Sequence, residues 1–143
     1  MDTIYITRRE HFNAAHKLWN EDWDDDKNKE IFGRCSNKNW HGHNYQLFVT
    51  VKGVPDSETG FVIDLKLLSQ IITKEVIDVV DHRNLNLDVH FMKGMLASTE
   101  NLAIKIWQQI DEPIKKAGGN LVKIKLEETE NNYVEYFGGK EPF

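Results

Sequence analysis

A chain of 143 residues, 40% of them hydrophobic, can enclose one apolar core and is short for two, so a single domain spanning residues 1–143 is expected. Lys and Arg number 18 against 23 Asp and Glu, and the net charge of −5 argues against general affinity for nucleic acid or an anionic membrane. The lone cysteine excludes an internal disulfide and a cysteine-rich structural zinc site, so any metal must be held mainly by His or carboxylate, which points towards a catalytic site.

No apolar run approaches the roughly 18 residues of a membrane span, and Met1 to Tyr5 has neither the charged nor the apolar region of a signal peptide. A soluble, cytoplasmic protein is the expectation. The first element is a strand from Thr3 to His16, where Ile4, Ile6 and Phe12 are candidate core positions. His16 closes it beside the small Ala14 and Ala15, which leave room for a pocket, although taken alone His16 reads as structural and His11 as satisfied or solvated. From Leu18 to Asn39 the pattern is too polar for a core element and reads as a loop or short surface helix. Its acidic run lacks the Gly and terminal Glu spacing of an EF-hand loop and is read as a solvated charge cluster.

Cys35 follows, then five intervening residues, then His41-Gly42-His43-Asn44-Tyr45. In a strand, side chains two apart share a face, so His41 and His43 would aim at one point and could supply two metal ligands; the same pair also reads as the solvated end of a polar strand. Leu47, Val49 and Val51 continue the alternation. Val54 to Gly60 supplies turn residues, and Phe61-Val62-Ile63 is expected to begin the return strand of a hairpin. Asp64 caps a helix running to about Val80, with Leu65, Leu68, Ile72, Val76 and Val79 as its apolar stripe. The polar Asp81-His82-Arg83-Asn84 reads as the satisfied end of that helix, and His90 as a loop histidine.

Ser98 or Thr99 caps a second helix, with Glu100 favoured near its positive end and Leu102, Ile106 and Ile110 as its buried stripe. Pro113 should bend or restart this helix, and Gly118-Gly119 should end it. Asn120 to Glu127 alternates as a strand, Asn131-Asn132 is a turn, and Tyr133 to Phe137 pairs back. Strands, helix, helix, strands is an α+β order.

Phe12-Asn13-Ala14-Ala15-His16, Cys35 with His41-Gly42-His43-Asn44-Tyr45, Asp81-His82-Arg83-Asn84-Leu85, Ser98-Thr99-Glu100-Asn101 and Glu128-Thr129-Glu130-Asn131-Asn132 resemble, in order, the motifs of the 6-pyruvoyltetrahydropterin synthase family. The resemblance implies the tunnelling fold, a four-stranded antiparallel sheet with two helices on one face. Three such sheets join into a barrel and two trimers stack, giving a homohexamer with sites between subunits. It further implies that His16, His41 and His43 bind one Zn2+ and that Cys35 is the general base, with His82 and Asp81 setting its protonation. Glu128 would grip the pterin's amino-pyrimidine edge, with Thr99 and Glu100 lining the same pocket. The motif frame selects Glu128 over its neighbour Glu127. Trp40 departs from the glycine expected before the first histidine of the pair.

The reaction so implied converts 7,8-dihydroneopterin triphosphate, a pterin triphosphate, to 6-pyruvoyltetrahydropterin and inorganic triphosphate. The rival within the same fold is 6-carboxytetrahydropterin synthase of queuosine biosynthesis, which takes the same substrate and releases acetaldehyde. A member that binds zinc or pterin without catalysis is the third reading. The five-residue spacer between Cys35 and His41 resembles that of the pyruvoyl-forming synthases.

Overall fold

In the computed structural model, which describes residues 2–142, the early alternation becomes one long strand, β1 (Ile4–His16). Its partner β2 (His41–Gly53) runs antiparallel over the full length, in register from Ile4 opposite Gly53 to His16 opposite His41. Parity then sorts the side chains. Phe12, Ala14 and His16 of β1, and Tyr45, Leu47, Val49 and Val51 of β2, are buried on one face.

Between these strands the acidic run starts a helix. Asp24 caps α1 (Asp25–Phe32) by accepting from the Lys27 amide at 2.7 Å, and Asp25 and Asp26 occupy the first turn, where the helix dipole favours negative charge. Asn28 is fully buried beneath it, its amide donating to the carbonyls of Asn20 and Asp24. A 3-10 turn, Gly33–Ser36, leads back towards β2.

The hairpin expected after β2 does not form. Phe61-Val62-Ile63 makes no strand, because β2 already pairs with β1 on one edge and with β4 (Asn120–Thr129) on the other, leaving no edge for a returning strand. The loop closes on Asp56 instead, whose carboxylate accepts from the amides of Glu58 and Thr59. Asp64 then caps α2 (Leu65–Ile72), which passes through a π-helical stretch, Thr73–Ile77, into a last turn, Asp78–Val80. Leu68, Ile72, Val76 and Val80 are buried against the sheet.

The polar segment after α2 is also more than a helix end. Arg83–Asn84 forms β3, a two-residue strand parallel to β1 at Ala14 and Ala15. Ser98 caps α3 (Thr99–Lys116), and Pro113 does not restart it: the helix continues through that position to Lys116. The missing amide falls in the last turn, where one lost bond is tolerable. Gly118, in a left-handed conformation at φ 91°, turns the chain into β4, which pairs antiparallel with β5 (Asn132–Tyr136).

The sheet is therefore five-stranded and mixed, in the order β3-β1-β2-β4-β5, with three helices, rather than four-stranded and antiparallel with two. Leu68, Ile72 and Val76 of the α2 region and Leu102, Ile106, Ile110 and Ile114 of α3 meet the apolar face of β1, β2 and β4 in one core. Among the described residues no helix is long and apolar enough to cross a membrane.

Candidate active site

The buried face of β1 and β2 changes character at one end. Past Phe12 and Ala14 comes His16, and past Tyr45 come His43 and His41, so the parity that buries the core also turns three imidazoles towards one another. One ligand atom from each lies within 4.8 Å of the others, a spacing suited to a single ion. The ring centroids stand 4.5 Å apart for His16 and His41, 5.0 Å for His16 and His43, and 4.9 Å for His41 and His43.

His16 Nδ1 lies 2.6 Å from the Ala97 carbonyl oxygen, which can only accept, so the proton sits on Nδ1 and Nε2 presents its lone pair to the cluster. His16 Nε2, His41 Nδ1 and His43 Nε2 are buried without hydrogen-bond partners. Burial is the largest cause holding all three histidines below their ordinary value of 6.5; the Ala97 carbonyl opposes it at His16, and Glu128 opposes it at His43. Three neutral imidazoles with inward lone pairs and no other partner fit a bound metal, and imidazole suits Zn, Cu, Fe and Ni.

Glu128 shares the parity of Ile124 and Leu126 on β4 and so reaches the same face, with Oε1 3.7 Å from His43 Nε2 and Oε2 4.0 Å from His16 Nε2. Its neighbour Glu127 has the opposite parity and pairs with Lys125 at 3.5 Å. The Thr99 hydroxyl, at the start of α3, donates to Glu128 Oε2. Thr99, Glu100 and Glu128 line one recess of about 140 Å³, with Asn132, Tyr133 and Val134 on its other wall. A carboxylate, a hydroxyl and a metal-type cluster thus stand side by side, an arrangement that can grip a polar ring edge while presenting its substituent to the imidazoles.

Cys35 lies half-buried in the Gly33–Ser36 turn, and its carbonyl accepts from the Leu18 amide at 2.7 Å, anchoring the turn two residues beyond His16. Asp81 and His82 stand at the β3 edge, where His82 lines a recess of about 510 Å³ together with Asn13, Asn44 and His43. Asp81 Oδ1 accepts from the Asn13 amide at 2.9 Å and lies 3.0 Å from His82 Nδ1, while the His82 side chain is 76% exposed. The Asn13 amide is the largest cause holding the Asp81 carboxyl below its ordinary range, with His82 adding to it. Among the described residues neither Asp81 nor His82 hydrogen-bonds to the imidazole cluster or to Cys35. His82, at φ 58°, and Trp40, at φ 65°, both adopt the left-handed conformation in which glycine is most at ease.

The chain matches the family described as 6-pyruvoyl tetrahydropterin synthase over residues 5–139. It belongs to that family. Among related 6-pyruvoyl tetrahydrobiopterin synthases, the one from Homo sapiens is 38% identical over 93% of this chain and 90% of its own length. The one from Dictyostelium discoideum is 40% identical over 95% of this chain and 97% of its own. The solved 6-pyruvoyl tetrahydropterin synthase of Caenorhabditis elegans superposes with a TM-score of 0.85 at 39% identity, covering 97% of this chain and 98% of that one.

Two parts of this candidate site escape a reading of the residues one motif at a time. Tyr45 is fully buried, and burial, then the Glu128 charge, push the phenol well above its ordinary range, with the neighbouring Thr99 hydroxyl opposing them. Its parity with His41 and His43 was the available signal. The Ala97 carbonyl that orients His16 has no signal in the sequence, because any residue offers a carbonyl there.

Proposed function

We propose that the protein converts 7,8-dihydroneopterin triphosphate to 6-pyruvoyltetrahydropterin with release of inorganic triphosphate, using one zinc ion held by His16, His41 and His43. The observation that carries this reading is the meeting of three partnerless imidazoles with the Thr99–Glu128 pair on one face of the sheet, in a chain of the pterin-synthase family. Zinc, when bound, supplies Lewis acidity towards the side-chain hydroxyls, and three neutral imidazoles leave its positive charge largely undiminished.

The chain's own groups do the rest. Glu128 accepts two charge-assisted hydrogen bonds from the amino and ring N–H groups of the pyrimidine edge, with Thr99 steadying one carboxylate oxygen and Glu100 at the rim. Cys35 takes a proton from a side-chain carbon and returns one, the internal redox rearrangement needing no external oxidant. Asp81 and His82 set the protonation of that thiol. His82 is exposed and Asp81 half-buried at the β3 edge, and neither hydrogen-bonds to the imidazole cluster among the described residues, which favours a site completed across a subunit boundary. Edge pairing of sheets into a barrel, with two trimers stacked as a homohexamer, would also cover the open edges at β3 and β5.

Glu128→Gln is expected to raise KM about tenfold or more with a smaller change in kcat, since a neutral amide offers one acceptor where two are needed, and hydrogen bonds to charged groups contribute about 1.5–3 kcal/mol. Steady-state kinetics with an unchanged KM would count against the assignment.

The function itself is tested by incubating purified zinc-loaded protein with 7,8-dihydroneopterin triphosphate and measuring triphosphate, pterin product and acetaldehyde. Triphosphate with a product retaining all three side-chain carbons is expected. Acetaldehyde in proportion to triphosphate would select the carboxy-forming reaction instead, and no turnover would favour a binding protein.

A further inference from the structure

We infer that Asn28 is a positioning residue for the reaction: its buried carboxamide fixes where the Cys35 thiol stands relative to the imidazole cluster. The inference rests on the general-base role proposed for Cys35 above. Its starting point is an inversion in α1. Of the eight residues of that helix only Asn28 is fully buried, whereas Ile31, which would gain more from burial, is 56% exposed. A helix that needed only to adhere to the molecule would turn the isoleucine inward, since a buried carboxamide is costly unless its hydrogen bonds are made. Those of Asn28 are made. Its Oδ1 accepts from the Asn20 amide at 2.7 Å, and its Nδ2 donates to the carbonyls of Asn20 and Asp24, each at 3.0 Å.

Hydrogen bonds are directional where apolar contacts can slide, so this knot sets one register between α1 and the limb of chain that leaves β1 at His16. The limb is tied a second time, where the Leu18 amide donates to the Cys35 carbonyl at 2.7 Å. That single bond would by itself let the Gly33–Ser36 turn pivot. The Asn28 knot grips the same limb two residues further on and removes the freedom, because α1 runs directly into the turn and the Gly33 amide donates to the Lys29 carbonyl. The place of the thiol is thereby referred back to His16. Nothing else in α1 holds as firmly: its first-turn acids are exposed, and Phe32 stacks on Trp23 with centroids 5.5 Å apart, an interaction that permits a range of offsets.

Proton transfer depends on placement, and a displacement of about 1 Å can cost about a hundredfold in rate. In zinc-loaded Asn28→Ala, kcat with 7,8-dihydroneopterin triphosphate should therefore fall about tenfold to a hundredfold. KM should stay within about twofold and zinc content at the wild-type level, because Glu128 and the three imidazoles stand on the sheet and not on this excursion. The same substitution made in Cys35→Ala should lower turnover no further, since a residue that acts only through the thiol has nothing left to position. If Asn28→Ala does not fold by circular dichroism, the isosteric Asn28→Asp, which keeps the acceptor and loses both donors, takes the same pair of measurements.

An unchanged kcat in a folded but less stable variant would make Asn28 structural only. An equal further loss in the Cys35→Ala background would show that it acts by another route. Either result overturns the inference and leaves the proposed reaction standing, whereas full turnover by Cys35→Ala alone would remove the base from the proposed function and the role of Asn28 with it.

Discussion

His43→Ala is expected to abolish metal binding at the proposed site while leaving the fold in place. Removing one of three imidazoles leaves two protein ligands where catalytic zinc sites keep three. Loss of an outer partner alone typically weakens metal binding about 10- to 100-fold, so loss of a direct ligand should cost more. The sheet should survive, because β1 and β2 pair over thirteen residues and His43 contributes little to the apolar core. Metal analysis after dialysis, with circular dichroism as the control on folding, reads both halves of this expectation. A variant that keeps its full complement of zinc would show that the three histidines do not form the site, and activity should follow the metal.

Cys35→Ala is expected to separate chemistry from metal binding. The Gly33–Ser36 turn does not depend on the thiol: the Leu18 amide holds the Cys35 carbonyl and the Ser36 hydroxyl donates to the Gly33 carbonyl at 2.7 Å, contacts that alanine retains. Zinc content and stability should therefore stay close to wild type. Turnover should fall about a hundredfold to ten-thousandfold, the usual contribution of a positioned general base. Parallel loss of zinc would make Cys35 a ligand, and full activity would remove it from the mechanism.

The sequence was most legible where one period governs a long stretch. Alternation placed His41 and His43 on one face and marked β1, β2, β4 and β5, because period two is imposed by the backbone itself. His16 was harder: on its own residues it read as structural, and its assignment came through the family resemblance. The physical reason is that its partnership with His41, 25 positions further along the chain, is a matter of register between two strands. Strand β3 was illegible because two residues have no period. It exists because the His82 amide donates to the Asn13 carbonyl at 2.6 Å and the Leu85 amide to the Ala15 carbonyl at 2.8 Å. Phe61-Val62-Ile63 has strand-like composition but no free edge to join, a constraint visible only once all the strands are in place.

One consequence of the thirteen-residue register between β1 and β2 concerns how this chain can change its length. Because side chains alternate faces, inserting or deleting a single residue between Phe12 and His16 would carry His16 to the face opposite His41 and His43, and two such changes would be needed to bring it back. No intermediate length keeps all three imidazoles together. Between Lys17 and Trp40 the chain answers to no such parity, since the loop and α1 only return it to the start of β2. Length variation that spares the three imidazoles is thus channelled into this excursion, where it would reposition Cys35, Trp19 and Trp40 against a triad that stays fixed, a route by which one scaffold can vary its chemistry without rebuilding its imidazole cluster.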